Sequence, residues 1–357
     1  MSSNLFDNIK IILIVFIFVA LIIPFIKKIA FHIGAIDIPG GRHIHKKPIP
    51  KLGGVGIFLG FLLGYMLFCN QSPQMISILI GGIIMLLTGI FDDVKRLPAS
   101  TQFIGQICAA LVVVCYGGIV MNDVSAYGIY INFGIFAKPL TVLFIVAIIN
   151  CMNFIDGLDG LASGIAVIFF ITISIIIYSM GIYNGLDASL TLIMAGATLG
   201  FLLHNFYPAK IFLGNSGSMF LGYMIAVISL LGFKNITITS FVIPVLIFAI
   251  PILDTLFAII RRLIKGESPT KGDKQHLHHQ LLQMTSSQVK SVLIIYGINI
   301  LFSLASLEYV LRNDKLGQII YAILLIIILW FVLTTDILFD RKKIQKEVQN
   351  KLKLKKK

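Results

Sequence analysis

Residues 140–160 read LTVLFIVAIINCMNFIDGLDG, an unbroken apolar run that stops in an asparagine, two aspartates and two glycines. Such a run does not alternate as a half-buried strand would, and as a helix rising 1.5 Å per residue it spans most of a ~30 Å hydrocarbon layer. Two acids and an amide at the end of a membrane helix are costly unless they are used. The same pattern, oil followed by an unusual polar group, recurs along the chain. Apolar runs lie near 9–26, 53–69, 75–91, 102–120, 140–155, 161–180, 189–206, 217–233, 239–260, 289–311 and 316–338, eleven in all.

Composition agrees with this reading. Of 357 residues, 57% are hydrophobic and only 13% charged, with a mean hydropathy of +0.95. A soluble domain is nearer half apolar and a quarter charged. Lipid is therefore the solvent for most of the chain, and there only helices or closed barrels satisfy every backbone group. The expected fold is all-α, a polytopic integral membrane protein with about eleven transmembrane helices. Residues 1–338 form one transmembrane domain and 339–357 a basic tail, read as a solvated or lipid-touching helix. The first run lacks a strongly basic leader and a small-residue cleavage site, so it is expected to persist as a helix. Cys69, Cys108, Cys115 and Cys151 sit in apolar stretches with no CxxC spacing and read as small hydrophobes. There is no internal repeat.

The net charge of +13 is spread over short loops and the tail. That distribution argues against a nucleic-acid partner and for a topology signal. Eleven crossings sort the loops into two sets, one holding 24 of the 29 lysines and arginines and the other 5. The positive-inside rule then places the amino terminus outside and the carboxyl terminus inside. On that assignment the loops near 32–50, 92–100, 156–159, 210–218 and 261–279 share the cytoplasmic face, and they carry nearly every unusual polar residue.

Five segments in those loops are candidates for chemistry. Asp92 and Asp93 are adjacent carboxylates at the end of the third run. They read either as a loop pair solvated at the interface or as a metal and base site, since two such charges near lipid need a cation or donors. Asn153, Asp156 and Gly160 fall on one face of a continued helix, with Asp159 one turn beyond Asp156. Capping of a polar helix end is the plainer reading, and lining of a metal or substrate site the functional one. Gly214-Asn215-Ser216-Gly217-Ser218 opens the eighth run, where free amides make a phosphate cradle or merely a common loop-to-helix junction. His276, His278 and His279 lie near several cations and fit an anion better than zinc, because no cysteine is near and carboxylates are few. The loop 37–54 mixes prolines and glycines with Arg42, His45, Lys46 and Lys47, whose charges serve topology or substrate.

Taken together and in this order, the segments from Asp37 to His279 resemble the polyprenyl-phosphate N-acetylhexosamine-1-phosphate transferase family. The His-Leu-His-His ending at His279 is similar to its UDP-GlcNAc branch more than to its phospho-MurNAc-pentapeptide branch. The resemblance implies transfer of GlcNAc-1-phosphate from UDP-GlcNAc to undecaprenyl phosphate, with release of UMP, as the first membrane step of teichoic-acid or O-antigen type synthesis. It implies Mg²⁺, with Mn²⁺ as a substitute, a setting in the bacterial cytoplasmic membrane, and allows a homodimer. Asp92, Asp93, Asp156 and Asp159 would be catalytic. Asp93, Asn153, Asp156 and Asn215 would hold the metal. Asn153, Arg42, His45, His276, His278 and His279 would bind substrate. The chain departs from the family at Asn215, where the usual pattern Gly-Asp-x-Gly-Ser has an aspartate, and an amide oxygen is a poorer ligand for a hard cation. An Asp of the Asp92–Asp93 pair would orient or deprotonate the lipid phosphate, with a covalent aspartyl-phosphate as the rival route. A secondary transporter is the reading from another class, and it predicts mid-membrane polar groups and repeat symmetry that the sequence lacks. A CDP-alcohol phosphotransferase fits poorly, since Asp159-Gly160 is followed by Leu161-Ala162-Ser163-Gly164.

Overall fold

The computed structural model describes residues 2–38, 48–126, 129–182, 185–231, 252–253, 255–257, 262, 277–312 and 314–334. Its helices are α1 (Ser2–His32), α2 (Gly53–Phe68), α3 (Pro73–Lys95), α4 (Ala99–Leu111), α5 (Ala137–Ile155), α6 (Leu161–Ser179), α7 (Leu186–Asn205), α8 (Gly214–Leu231), α9 (Leu277–Thr285), α10 (Gln288–Leu311) and α11 (Asp314–Thr334). A π-helical turn, Val112–Tyr116, extends α4. Helix starts follow local chemistry. Ser72 accepts a hydrogen bond from Met75 N at 3.1 Å, and Pro73, which has no N–H to leave unpaired, takes the first position of α3.

Among the described residues, eight helices are long and apolar enough to cross a membrane, and two apolar stretches, Gly53–Phe68 and Lys315–Ile328, are shorter. The protein is an all-α polytopic membrane protein. Ten of the eleven expected runs coincide with these helices. The run near 239–260 lies, apart from a few residues, outside the described residues, as do the tail 339–357 and the Arg42–Lys47 stretch. Two short antiparallel hairpins interrupt the helical plan. The first pairs β1 (Ile36–Asp37) with β2 (Ile49–Pro50), and the second pairs β3 (Asp123–Ala126) with β4 (Ile129–Asn132). Such short strands leave no mark in hydropathy.

Helix α8 is the most deeply buried of the membrane-length helices among the described residues, and α6 and α7 follow it. In contrast, α1 and α4 bury 22% and 28% and present their remaining apolar surface outward, as a lipid solvent allows. Phe58 and Phe61 of α2 pack edge-on against Phe220 of α8, with ring centroids 5.2 and 5.6 Å apart. Close approach at one end of α8 depends on glycine. A Cβ at Gly54 of α2 would overlap the backbone of Ser216 and Gly217, and one at Gly89 of α3 would overlap that of Asn215 and Ser216. Small residues let membrane helices meet at backbone distance, and here they bring α2 and α3 onto the first turn of α8.

Candidate active site

The last turn of α3 carries Asp92 and Asp93 to that same turn of α8. Asp92 is buried, and its carboxylate is surrounded by donors. Oδ1 accepts from Leu97 N at 2.7 Å and from Gln102 Nε2 at 2.8 Å, while Oδ2 accepts from the side-chain amide of Asn215. Asp93 accepts from Asn215 N at 2.8 Å and Ser216 N at 3.0 Å. Those are N–H groups that a helix start leaves unpaired, so α8 is capped by an acid from another helix, where its dipole also favours negative charge. Gly214, at φ 71°, makes the entry to α8, and a Cβ there would clash with Lys51 O and crowd Asp93 Oδ2 at 2.6 Å. The start of α8 therefore differs from the open phosphate cradle that its sequence offers. Its backbone N–H groups at 215 and 216 already donate to Asp93.

The second acidic segment follows α5. The helix ends at Ile155, Asp156 is its C-cap with ψ 59°, and Gly160 has φ 77°. Asp156 and Asp159 are thus in an irregular turn and not one helical turn apart, which corrects the continued helix expected here. Two forces break the helix. Leu158 turns inward and is buried, and Asp159 Oδ2 accepts from Ala209 N at 3.0 Å. Asp156 has no hydrogen-bond partner among the described residues. Burial, and then the negative charges of Asp93 and Asp159, push its carboxyl up to about 7, with Lys51 pulling the other way. Asn153 faces α8, and its Oδ1 accepts from Ser218 Oγ at 2.9 Å.

The segment between α7 and α8 ties the two acidic ends together. Buried Asn205 uses both ends of its amide, accepting from Ser163 Oγ at 2.7 Å and donating to Ile211 O at 3.0 Å. Phe212 N donates to Pro50 O at 2.8 Å, and Gly53 N and Gly54 N donate to Phe212 O and Leu213 O. Lys51 pairs with Asp37 at 2.7 Å across the base of the first hairpin. Gln102, Asn205 and Ser163 were not singled out from sequence. A usable signal existed, since Asn205 closes an apolar run much as Asn153 does.

Asp92, Asp93, Asn153, Asp156, Asp159 and Asn215 are therefore brought together around the first turn of α8. Arg42, His45 and His276 lie outside the described residues, and His278 and His279 fall in the first turn of α9. Arg262, also buried, sets its guanidinium 5.8 Å from the Phe154 ring centroid and so adds a cation beside the end of α5. Among the described residues no three His, Cys, Asp or Glu side chains form a ready metal cage. Mg²⁺ does not require one, because it takes one or two carboxylates with phosphate oxygens and water. Asp156, charged only at a cost and next to Asp93, fits such an ion. Asp92 fits less well, since three donors occupy it, and Asn215 brings no charge.

Residues 75–233, which span α3 to α8, match the model of glycosyl transferase family 4. The chain is 42% identical over 314 residues to a probable undecaprenyl-phosphate N-acetylglucosaminyl 1-phosphate transferase of Bacillus subtilis, covering 87% of this chain and 86% of that one. It is 35% identical over 304 residues to a decaprenyl-phosphate N-acetylglucosaminephosphotransferase of Mycolicibacterium smegmatis, covering 76% and 74%. A phospho-N-acetylmuramoyl-pentapeptide-transferase of Staphylococcus carnosus is 28% identical over 304 residues, covering 80% and 93%.

Proposed function

This chain belongs to the polyprenyl-phosphate N-acetylhexosamine-1-phosphate transferase family, of the glycosyl transferase family 4 type, and from that premise we propose that it transfers GlcNAc-1-phosphate from UDP-GlcNAc to undecaprenyl phosphate. The single observation that carries the reading is the carboxylate of Asp156. It has no hydrogen-bond partner among the described residues and stands beside Asp93 at the point where an apolar helix ends. A cation and phosphate oxygens would complete that arrangement. The polymer made downstream, of teichoic-acid or O-antigen type, is part of the same proposal. So are the eleven crossings, with the site on the cytoplasmic face where a soluble nucleotide sugar is available.

The chemistry follows from the placement. The acceptor keeps its prenyl tail in lipid while its phosphate reaches the polar turn at the membrane edge. A phosphate monoester has a second pKa near 6, so the nucleophile is largely ionised at neutral pH and needs orientation more than deprotonation. An acceptor oxygen attacks the sugar-linked phosphorus of the donor. The bond from that phosphorus to the UMP oxygen breaks, and UMP leaves with the electron pair. Mg²⁺ held by Asp156 and Asp93, or Mn²⁺ in its place, would neutralise the diphosphate and the departing UMP. Asp92 and Asp93 keep α3, α4 and α8 in register around the reacting groups, and Asp159 fixes the turn that presents Asp156. Arg262, with His278 and His279 at the start of α9, supplies cationic and donor groups for the donor phosphates.

Purified full-length protein with Mg²⁺, labelled UDP-GlcNAc and undecaprenyl phosphate is expected to yield labelled lipid and UMP in equal amounts, with inversion at phosphorus. Retention would favour a covalent aspartyl-phosphate. Preference for UDP-MurNAc-pentapeptide would replace the sugar assignment, which follows the 42% identity to the GlcNAc-named relative of Bacillus subtilis against 28% to the MurNAc-pentapeptide one. Absence of product with either donor sinks the proposal.

A further inference from the structure

Tyr296 lies on α10, well beyond residues 75–233, yet its hydroxyl donates a hydrogen bond to the carbonyl of Gly160. Gly160 is the last residue of the acidic turn and the N-cap of α6. Its carbonyl also accepts from Gly164 N at 2.8 Å and from Ser163 Oγ at 3.2 Å. The tyrosine ring has room only because residue 164 is glycine, since a Cβ there would overlap the hydroxyl and the ring carbon that bears it. A side chain and the space for it are thus supplied by two different helices.

The turn needs such a restraint. Asp156 accepts no hydrogen bond among the described residues, so among them it is the backbone that places its carboxylate. That backbone continues through Gly157 and ends the turn at Gly160, the residue type with the least intrinsic stiffness. From one side the turn is held by the bond between Asp159 and Ala209 N, and from the other by Tyr296. The same tyrosine connects the turn to α9. An elbow of hydrogen bonds joins α9 to α10, with Thr285 Oγ1 donating to Ser287 O at 3.0 Å and lying 2.8 Å from Ser291 Oγ. Buried Leu281 anchors α9 itself.

We propose that Tyr296 is a positioning residue of the transfer site: its hydroxyl holds the Gly160 carbonyl and thereby fixes the Asp156–Asp159 turn relative to α9, whose first turn carries His278 and His279. The proposal rests on the transfer reading above for its kinetic consequence, but its structural claim can be measured without turnover.

The test uses the full chain in lipid nanodiscs and two readouts, transfer kinetics and amide hydrogen exchange. Tyr296→Phe removes one oxygen. It is expected to lower kcat about tenfold with the KM for UDP-GlcNAc within about twofold, as a displaced catalytic group does. Exchange at residues 157–161 should quicken about tenfold while α8 is unchanged. Gly164→Ala keeps the hydroxyl but takes away its room, and should reproduce both effects. Tyr321→Phe removes another buried hydroxyl, the partner of Ser306 in the α10–α11 pair, and should alter neither. Unchanged exchange at 157–161 in Tyr296→Phe overturns the proposal, as does faster exchange spread over all of α6 and α10. If the parent protein transfers no sugar, the transfer reading fails while the exchange result still decides whether Tyr296 holds the turn.

Discussion

The two acidic ends, Asp92–Asp93 on α3 and Asp156–Asp159 after α5, contain the same residue type at the same membrane edge and are built in opposite ways. The first is regular helix, and each of its carboxylates is satisfied by donors from other elements. The second is irregular, with one acid bonded to a neighbouring loop and the other left without a partner among the described residues. A buried charge that is hydrogen-bonded is partly compensated where it stands, whereas one that is not needs a cation or a further donor. The contrast separates the acids that have donors from the one that has none among the described residues, a distinction that sequence spacing does not carry.

The largest effect is expected at Asp156. Asp156→Asn should reduce transfer by roughly a thousandfold, the scale of losing a key electrostatic group. It should also stabilise the metal-free fold. A carboxyl raised to about 7 when folded binds its proton more tightly in the folded chain, so its charged form opposes folding. That penalty is absent near pH 4 and grows as pH rises towards 7. Thermal melts in chelator should therefore show Asp156→Asn above the parent by a few degrees at pH 8, with the gap closing near pH 4. A variant that melts lower at pH 8 would reverse the assignment of Asp156.

Next in size is Asp93→Ala, which leaves two part-buried N–H groups of α8 without their acceptor at a cost of about 2–4 kcal/mol. Asp93→Asn keeps one acceptor and should lose about half as much, and equal melting of the two variants would break the cap interpretation. A smaller change is expected for Asn215→Asp. It puts a second carboxylate against Asp92 and should cost on the order of 1–2 kcal/mol in chelator. Millimolar Mg²⁺ should restore that loss if residue 215 borders the ion, and a melt indifferent to Mg²⁺ would remove the position from the metal site. Asp159→Asn is the mildest, because the amide oxygen still accepts from Ala209 N, and kcat/KM should fall less than about tenfold.

Membrane residence, helical class and the segments rich in chemistry were legible in the sequence because each is a local property. An unbroken apolar run must close its own backbone hydrogen bonds in lipid, whatever surrounds it, and a costly polar residue at its end is visible without knowing its partner. What each polar group touches was settled only by packing. Nothing near Asp93 in sequence indicates that it caps a helix 122 residues later, nor does the neighbourhood of Tyr296 point to a carbonyl 136 residues before it. Those pairings exist because glycines at 54, 89 and 164 let particular helices approach. The contacts are short-ranged in space and arbitrary in chain separation, so tertiary structure alone determined which acids are hydrogen-bonded across helices and which one, among the described residues, is not.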